Sequence, residues 1–128
     1  MKKLYLLLIV SASVLLLSSC SKSVLYPSDL NPDEWMVTHE RGIVAYVDYF
    51  SGNYIVETRN GYSVVESLSG VTPREGDREY AYFSNRGSQT TYNRSGNYFT
   101  QIYVVDSWLT WGEALYILDE ISRPYGGY

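Results

Sequence analysis

The chain has 128 residues and a formal charge of −4 at neutral pH, and it contains 14 tyrosines but one cysteine and one histidine. This length suits one domain, and the acidic charge argues against binding to nucleic acid or electrostatic docking on anionic lipid. One cysteine and one histidine cannot supply the four ligands of a structural zinc site, so we expect no metal and no other cofactor. Tyrosine is common in strands, so the composition favours β structure.

The N-terminal segment has the pattern of a secretory signal. Two lysines follow Met1, residues 4–17 form an almost unbroken apolar run, and Leu17-Ser18-Ser19 leads directly to Cys20. The apolar run is shorter than the stretch of about 20 residues that spans a bilayer. Leu-Ser-Ser-Cys resembles the lipobox of bacterial lipoproteins. A transmembrane anchor, or an ordinary signal with an accidental cysteine, remains the alternative.

The resemblance to bacterial lipoproteins implies that residues 1–19 are a signal peptide that is removed. It also implies that Cys20 is lipidated, by acyl chains such as palmitate, and that these chains hold the protein to a membrane. The mature chain would carry 8 basic and 14 acidic side chains, a net charge of −6. The residue after Cys20 is Ser21, whereas bacterial lipoproteins that are retained in the inner membrane have an aspartate at this position. We therefore expect a protein of the bacterial cell envelope, anchored in the outer membrane and facing the periplasm.

The mature chain divides into three predicted segments. Residues 20–36 are the acylated cysteine, a tether and a short helical turn; residues 37–123 are a small β-barrel with a C-terminal helix; residues 124–128 are a loose tail. Pro32 suits the first position of the helical turn, after Asn31 as N-cap. Trp35 is expected to pack against the domain and to end the tether.

Three strands of two-residue periodicity form a predicted meander. They are Ile43–Phe50, Tyr54–Arg59 and Tyr62–Leu68. Asn60-Gly61 is typical of a two-residue type I′ turn, which would place Glu57 opposite Val64 and Ile55 opposite Glu66.

The two faces of this meander differ in charge. One face carries all four charged residues and several aromatic ones. Because burying an unpaired charge costs several kcal/mol, the charge-free face is predicted to be the core. The predicted core residues are Ile43, Ala45, Val47, Tyr49, Tyr54, Val56, Thr58, Ser63, Val65 and Ser67.

The later elements complete a predicted barrel. A turn with the pattern Pro73-x-x-Gly76-Asp77 resembles loops of small barrels of the OB and SH3-like kinds. Two further strands are expected at Arg78–Ser84 and Tyr98–Asp106, and residues 85–97 are either a long loop or a frayed hairpin with an edge segment at Gln89–Tyr92. The fold class that follows is mainly β: a small five-stranded antiparallel barrel with a C-terminal amphipathic helix.

The C-terminal helix is predicted by its cap and its apolar spacing. Thr110 and Glu113 form a capping box, and Pro124 ends the helix. The predicted apolar face consists of Trp111, Ala114, Leu115, Leu118 and Ile121.

Catalytic chemistry has little support in the sequence. His39 lies beside Glu40 and is predicted to be a surface residue, and no serine lies in a nucleophile elbow. Glu57 and Glu66 would be diagonal neighbours about 7–8 Å apart in the predicted register, which is the basis for the alternative of a carboxylate-dependent hydrolase. We predict that the protein is not an enzyme.

Binding is the remaining class of function. The candidate binding surface consists of Tyr46, Phe50, Tyr62, Tyr92 and Tyr98. These side chains suit a protein contact surface or a stacking platform for sugar rings, or they simply cover a small barrel. We predict a non-catalytic module that binds an envelope protein or has a structural role. The alternatives are a glycan-binding module and an inhibitor or immunity-type lipoprotein that uses the loop around Tyr92.

Overall fold

The computed structural model describes residues 30–124. The predicted signal peptide, Cys20, most of the tether and residues 125–128 lie outside the described residues. The elements are helix α1 (Pro32–Thr38), strands β1 (Glu40–Val47), β2 (Tyr54–Thr58), β3 (Gly61–Ser67), β4 (Arg78–Ala81), β5 (Gly87–Asn93) and β6 (Tyr98–Leu109), and helix α2 (Trp111–Ser122).

The strands form a closed barrel in the order β1-β2-β3-β6-β5-β4. Two three-stranded meanders are joined along β3–β6 and β1–β4, and every neighbouring pair is antiparallel. The prediction of a closed antiparallel barrel with a C-terminal helix is confirmed. The barrel has six strands rather than five, because the polar stretch predicted as a loop or frayed hairpin pairs with β6 from Gly87 to Asn93.

The predicted core is right for β2 and β3 but partly wrong for β1. Tyr54, Val56 and Val65 are fully buried. In β1, however, Val44 is 1 % exposed and Ile43 is 40 % exposed. A β-bulge between Val44 and Tyr46 reverses the alternation, so the first half of β1 has the opposite facing to the one that two-residue periodicity predicts.

The β2–β3 turn also differs from the prediction by one position. Thr58 pairs with Gly61, so Arg59 and Asn60 form the turn and Glu57 lies opposite Tyr62. Gly61 has φ +107°, and a Cβ at this position would lie 2.9 Å from the carbonyl oxygen of Leu109. Glycine is therefore required as the first residue of β3, where that strand approaches β6, rather than inside the turn. Moving the turn by one residue changes every cross-strand pair by two residues. Each side chain of β2 and β3 therefore stays on the face of the sheet that was predicted for it.

The apolar part of the barrel interior comes from every strand except β5 and from the segment after β4. Its apolar members are Val44, Val47, Tyr54, Val56, Val65, Ala81, Phe83, Ile102 and Val104. Phe83 lies so close to β1 that a Cβ on Gly42 would be 3.0 Å from its ring and 2.2 Å from Val56 Cγ1. A glycine in β1 thus makes room for the largest apolar ring in the interior.

Helix α2 covers part of the charged face of the first meander. Its buried residues Ala114 and Leu118 pack on Ile55, Val64 and Leu109. The predicted capping box is confirmed, since the Thr110 hydroxyl accepts from the Glu113 amide at 3.2 Å and the Glu113 carboxylate accepts from the Thr110 amide at 3.0 Å. Two members of the predicted apolar face, Trp111 and Leu115, are not buried and remain partly exposed.

Helix α1 covers the outer face of the second meander. The indole Nε1 of Trp35 donates to the carbonyl oxygen of Tyr80 at 2.8 Å, and its ring meets Phe99 edge-on at 5.5 Å. Trp35 therefore packs against the domain, as predicted. The helix begins at Pro32, also as predicted, but it extends for 7 residues rather than a single turn.

Candidate functional site

The structure does not bring the five predicted surface residues together. Tyr46 and Phe50 line grooves along α2, and the ring of Tyr62 lies 5.1 Å from that of Trp111 at the start of the same helix. Tyr92 is 5 % exposed and packs on Phe99 on the α1 side of the barrel, with its hydroxyl donating to Asn97. The three residues beside α2 thus lie at different points along that helix, with Tyr62 near its start and Phe50 near its end.

Tyr98 lies at the end of the barrel where β5 turns into β6. It is half-buried, and its hydroxyl accepts from Asn93 Nδ2 at 3.1 Å. The hydroxyl therefore belongs to a hydrogen-bond network that reaches the barrel interior, and it is remote in the sheet from Tyr46 and Tyr62.

Other apolar side chains on α2 and in the segments beside it are exposed in addition to the tyrosines. We call the combined set the α2 surface, and it consists of Tyr46, Tyr62, Trp108, Trp111, Leu115 and Tyr116. Trp111 and Leu115 are adjacent on the helix because they are four residues apart. Tyr46 and Leu115 line the same groove, of about 450 Å³.

Trp108 has the least expected conformation in the α2 surface. Its φ is +61°, in the left-handed region, and its side chain is 65 % exposed. The ladder between β3 and β6 is irregular here, because Tyr62 pairs with Leu109 whereas Val64 pairs with Asp106. A left-handed conformation costs a bulky residue about 1–3 kcal/mol. The chain therefore bears strain at a residue whose large side chain remains mostly in solvent.

Sequence reasoning missed Trp108. Two-residue alternation through β6 gives Trp108 the same facing as Asp106 and does not reveal the irregular pairing. The only local signal is the presence of two tryptophans, Trp108 and Trp111, on either side of a helix cap. Neither the strained backbone nor the exposure could be inferred from that spacing.

The charges around the α2 surface are mostly acidic. Glu113, Asp119 and Glu120 are exposed on the helix. Arg123 donates to Asp119 at 2.8 Å and lies 3.7 Å from Glu120, so it neutralises part of this charge at the C-terminal end. The hydrogen bonds from Thr110 lower the pKa of Glu113, which keeps the carboxylate charged at the N-terminal end.

The carboxylate pair considered for hydrolysis is not assembled. Glu57 lies opposite Tyr62, and Glu66 lies opposite Tyr103 on β6. Tyr62 and Glu66 are four residues apart along β3, so the two carboxylates are separated by about 13 Å of sheet. The predicted diagonal contact between Glu57 and Glu66 is therefore wrong, because the prediction placed Glu57 opposite Val64 rather than opposite Tyr62.

His39 is neither isolated nor a simple surface residue. Its ring stacks on Trp35 at 3.8 Å and lies 4.2 Å from the ring of Tyr82. Its Nδ1 is 2.9 Å from the carbonyl oxygen of Trp35. The Thr38 hydroxyl oxygen lies at the same distance, 2.9 Å, so Nδ1 has two polar neighbours.

A polar cluster occupies the barrel end near the β5–β6 turn. The carboxyl group of Glu79 is fully buried, and Tyr54 donates to its Oε1 at 2.8 Å. Asn93 Nδ2 donates to Asp77 Oδ2 at 2.9 Å and lies 3.4 Å from Glu79 Oε2. Burial raises the pKa of Glu79 to about 7, against the hydrogen bonds from Tyr54 and Asn93, which lower it. This carboxyl group therefore changes its charge near neutral pH inside the barrel.

Between residues 30 and 124, no group of three or more His, Cys, Asp or Glu side chains is arranged to hold a metal ion. No helix in the same part of the chain is long and apolar enough to cross a bilayer. Comparison with protein-family models, with curated proteins and with solved structures gives no significant match.

Proposed function

We propose that this chain is a lipid-anchored, non-catalytic module of the bacterial cell envelope that binds another protein through the α2 surface. The observation that supports this most is Trp108, which combines a strained backbone with an exposed indole. Strain of this kind persists mainly where it has a functional role. Tryptophan is also the residue most enriched among the energetic centres of protein interfaces.

The surroundings of Trp108 support a protein contact of some size. Trp111, Leu115 and Tyr116 are exposed on α2, which begins three residues after Trp108, and Tyr46 and Tyr62 border the same helix. Aromatic residues concentrated in one patch are typical of interface cores. An apolar pocket on the partner would remove these side chains from water.

The charge of α2 indicates the chemistry of the partner. Glu113, Asp119 and Glu120 surround the apolar side chains, so the matching surface would be an apolar pocket bordered by lysines or arginines. A bilayer is a poorer match, since helices that lie in membrane interfaces carry basic residues on the polar face. The anchor would be the acyl chains on Cys20, implied by the lipobox-like sequence, and residues 21–30 would be the tether.

The test compares three forms of the full chain, each affinity-tagged and extracted from membranes in mild detergent. They are the wild type, Trp108→Gly, and Val71→Ala as control. Val71 is an exposed apolar residue of the β3–β4 loop that does not belong to the α2 surface. We expect one protein to be recovered at near one-to-one with the wild type and with Val71→Ala, and to be lost with Trp108→Gly.

The same variant has an opposite effect on stability. Glycine tolerates a positive φ, and the strain of about 1–3 kcal/mol that it removes exceeds its entropic cost of about 0.5–1 kcal/mol. Trp108→Gly should therefore raise the free energy of unfolding while it abolishes binding. Retention of the partner by Trp108→Gly, or a loss of stability, would show that Trp108 is a packing residue and would overturn the proposal.

A further variant separates the anchor from the surface. Cys20→Ala should leave the membrane fraction but still capture the partner through the α2 surface. If instead Cys20→Ala remained bound to neutral lipid vesicles, and Trp108→Gly released it, the α2 surface would be a membrane contact and the proposed protein contact would be rejected.

A further inference from the structure

A second surface lies on the same outer face of the first meander as α2, in the part that α2 leaves uncovered. It is a groove of about 750 Å³ between the C-terminal end of α1, the start of β1 and the β2–β3 turn. Arg41 and Arg59 line it, together with His39, Ile43, Glu57 and Tyr82. None of these residues belongs to the α2 surface.

The two arginines line the groove from different chain segments. Ile43 pairs with Glu57 at the end of the β1–β2 ladder, and Arg41 and Arg59 each lie two residues from that pair in the chain. The fold keeps two such guanidinium groups in a protein that is acidic as a whole.

Neither arginine forms an ion pair with another residue of the part of the chain that the structure describes. Among residues 30–124 the ion pairs involve Arg86 and Arg123, and none involves Arg41 or Arg59. The carboxylate of Glu40, which also lines the groove, accepts from the amide and the hydroxyl of Ser84 at 3.0 and 2.9 Å. Glu57 is therefore the one remaining carboxylate beside two free guanidinium groups.

The wall of the groove near α1 is aromatic and held in place. His39 lies between Trp35 and Tyr82, at ring distances of 3.8 and 4.2 Å. Its Nδ1 lies 2.9 Å from both the Trp35 carbonyl and the Thr38 hydroxyl, and its Nε2 makes no hydrogen bond within the described part of the chain. Tyr82 and Ile43 are both exposed, so an apolar or ring-shaped group has a surface to lie against.

We propose that this groove binds a small ligand that joins an oxyanion group to a ring. The planar guanidinium fork matches carboxylate and phosphate groups, and paired arginines bind such groups more tightly than one. Arg41 and Arg59 would hold the oxyanion from two elements. Tyr82 and Ile43 would contact the ring, and the free Nε2 of His39 is a further polar contact at the same wall.

The experiment titrates the detergent-solubilised full chain with four probes. Phenyl phosphate and benzoate carry a ring with a phosphate or a carboxylate, inorganic phosphate has no ring, and benzyl alcohol has no charge. Binding is measured by calorimetry for the wild type, for the double variant Arg41→Gln, Arg59→Gln, and for Arg74→Gln. Arg74 is an exposed arginine of the β3–β4 loop that has no ion pair among the described residues, so it is the matched control.

We expect phenyl phosphate or benzoate to bind the wild type and Arg74→Gln alike, and the double variant about tenfold or more weakly, as the loss of a charge-assisted hydrogen bond implies. The stronger of the two probes identifies the oxyanion as phosphate or carboxylate. Inorganic phosphate and benzyl alcohol should each bind more weakly than the probe that combines both features. Equal binding to the wild type and the double variant, or an equal loss in Arg74→Gln, would overturn the proposal. Because both arginines are exposed, the double variant should unfold at the wild-type denaturant concentration.

Discussion

The two ends of the barrel interior are filled by different chemistry. At the end near the β2–β3 turn, Phe83 packs against Val56 and Gly42, and the contacts are apolar. At the end near the β5–β6 turn, Glu79 and Asn93 face each other across β4 and β5. The first end is stabilised by burial, which does not depend on pH. The second is stabilised by hydrogen bonds to a carboxyl group whose charge does depend on pH.

The direction of that pH dependence follows from Glu79. Its pKa is about 7 in the folded protein, above its ordinary value of 4.5, because burial disfavours the charged carboxylate. Asp77, Tyr54 and Tyr98 are the titratable groups that face it. Between these two pH values the folded chain binds the proton more tightly than the unfolded chain does. The contribution of Glu79 to stability is therefore present at low pH and is lost as the pH rises through 7.

The largest expected effect is at the apolar end. Phe83→Ala removes a fully buried ring and should lower the free energy of unfolding by about 3–5 kcal/mol. Chemical denaturation at pH 5 and at pH 8 checks this. The loss should be the same at both values, and a clear difference would show that the two ends are energetically coupled.

Glu79→Gln tests the polar end directly. The wild type should lose about 3 kcal/mol of stability between pH 4.5 and pH 8, as a pKa raised to about 7 implies. The glutamine variant should lack this part of the pH dependence. Glu57→Gln is the control, since its carboxyl group is exposed, and it should keep the wild-type dependence. If the Glu79→Gln variant also kept the wild-type pH dependence of stability, a group other than Glu79 would be the cause of that dependence.

Tyr54→Phe sharpens the same comparison with a smaller change. The Tyr54 hydroxyl donates to Glu79 at 2.8 Å, and this bond lowers the pKa of Glu79. Its removal should cost about 1–3 kcal/mol at pH 8, where the carboxylate is charged, and less at pH 5. Unfolding curves at the two pH values measure the difference. An equal cost at both would mean that the hydroxyl serves packing rather than the carboxylate.

The polar end also explains why the sequence predicts β5 only as a loop or a frayed hairpin. Thr91 and Asn93 of β5 are fully buried, although neither residue is typical of a core. Thr91 donates to the Tyr80 carbonyl at 3.2 Å, and Asn93 donates to Asp77 at 2.9 Å. A polar strand of this kind is stable only when its partners are supplied by distant elements. The sequence of residues 87–93 contains no sign of those partners.

The bulge in β1 has a similar origin. The Gly76 amide donates to the Val44 carbonyl at 2.8 Å, and the Val44 amide donates to the Asp77 carbonyl at 2.9 Å. The Val47 amide donates to Glu75 Oε1 at 3.2 Å. The Pro73–Asp77 turn therefore docks on β1 at the bulge, about thirty residues away in the chain, and pattern analysis of β1 alone cannot detect it.

The sequence alone determined those features of this protein that depend on side chains only a few residues apart in the chain. The capping box at Thr110, the start of α1 at Pro32, and the facing of β2 and β3 all follow from side chains that act on their own neighbourhood. Tertiary structure alone decided the closure of six strands, the burial of Glu79, the strained exposure of Trp108 and the placement of Arg41 and Arg59 in one groove. Each of these depends on which distant backbone or side chain lies opposite, and that is set only when the barrel closes.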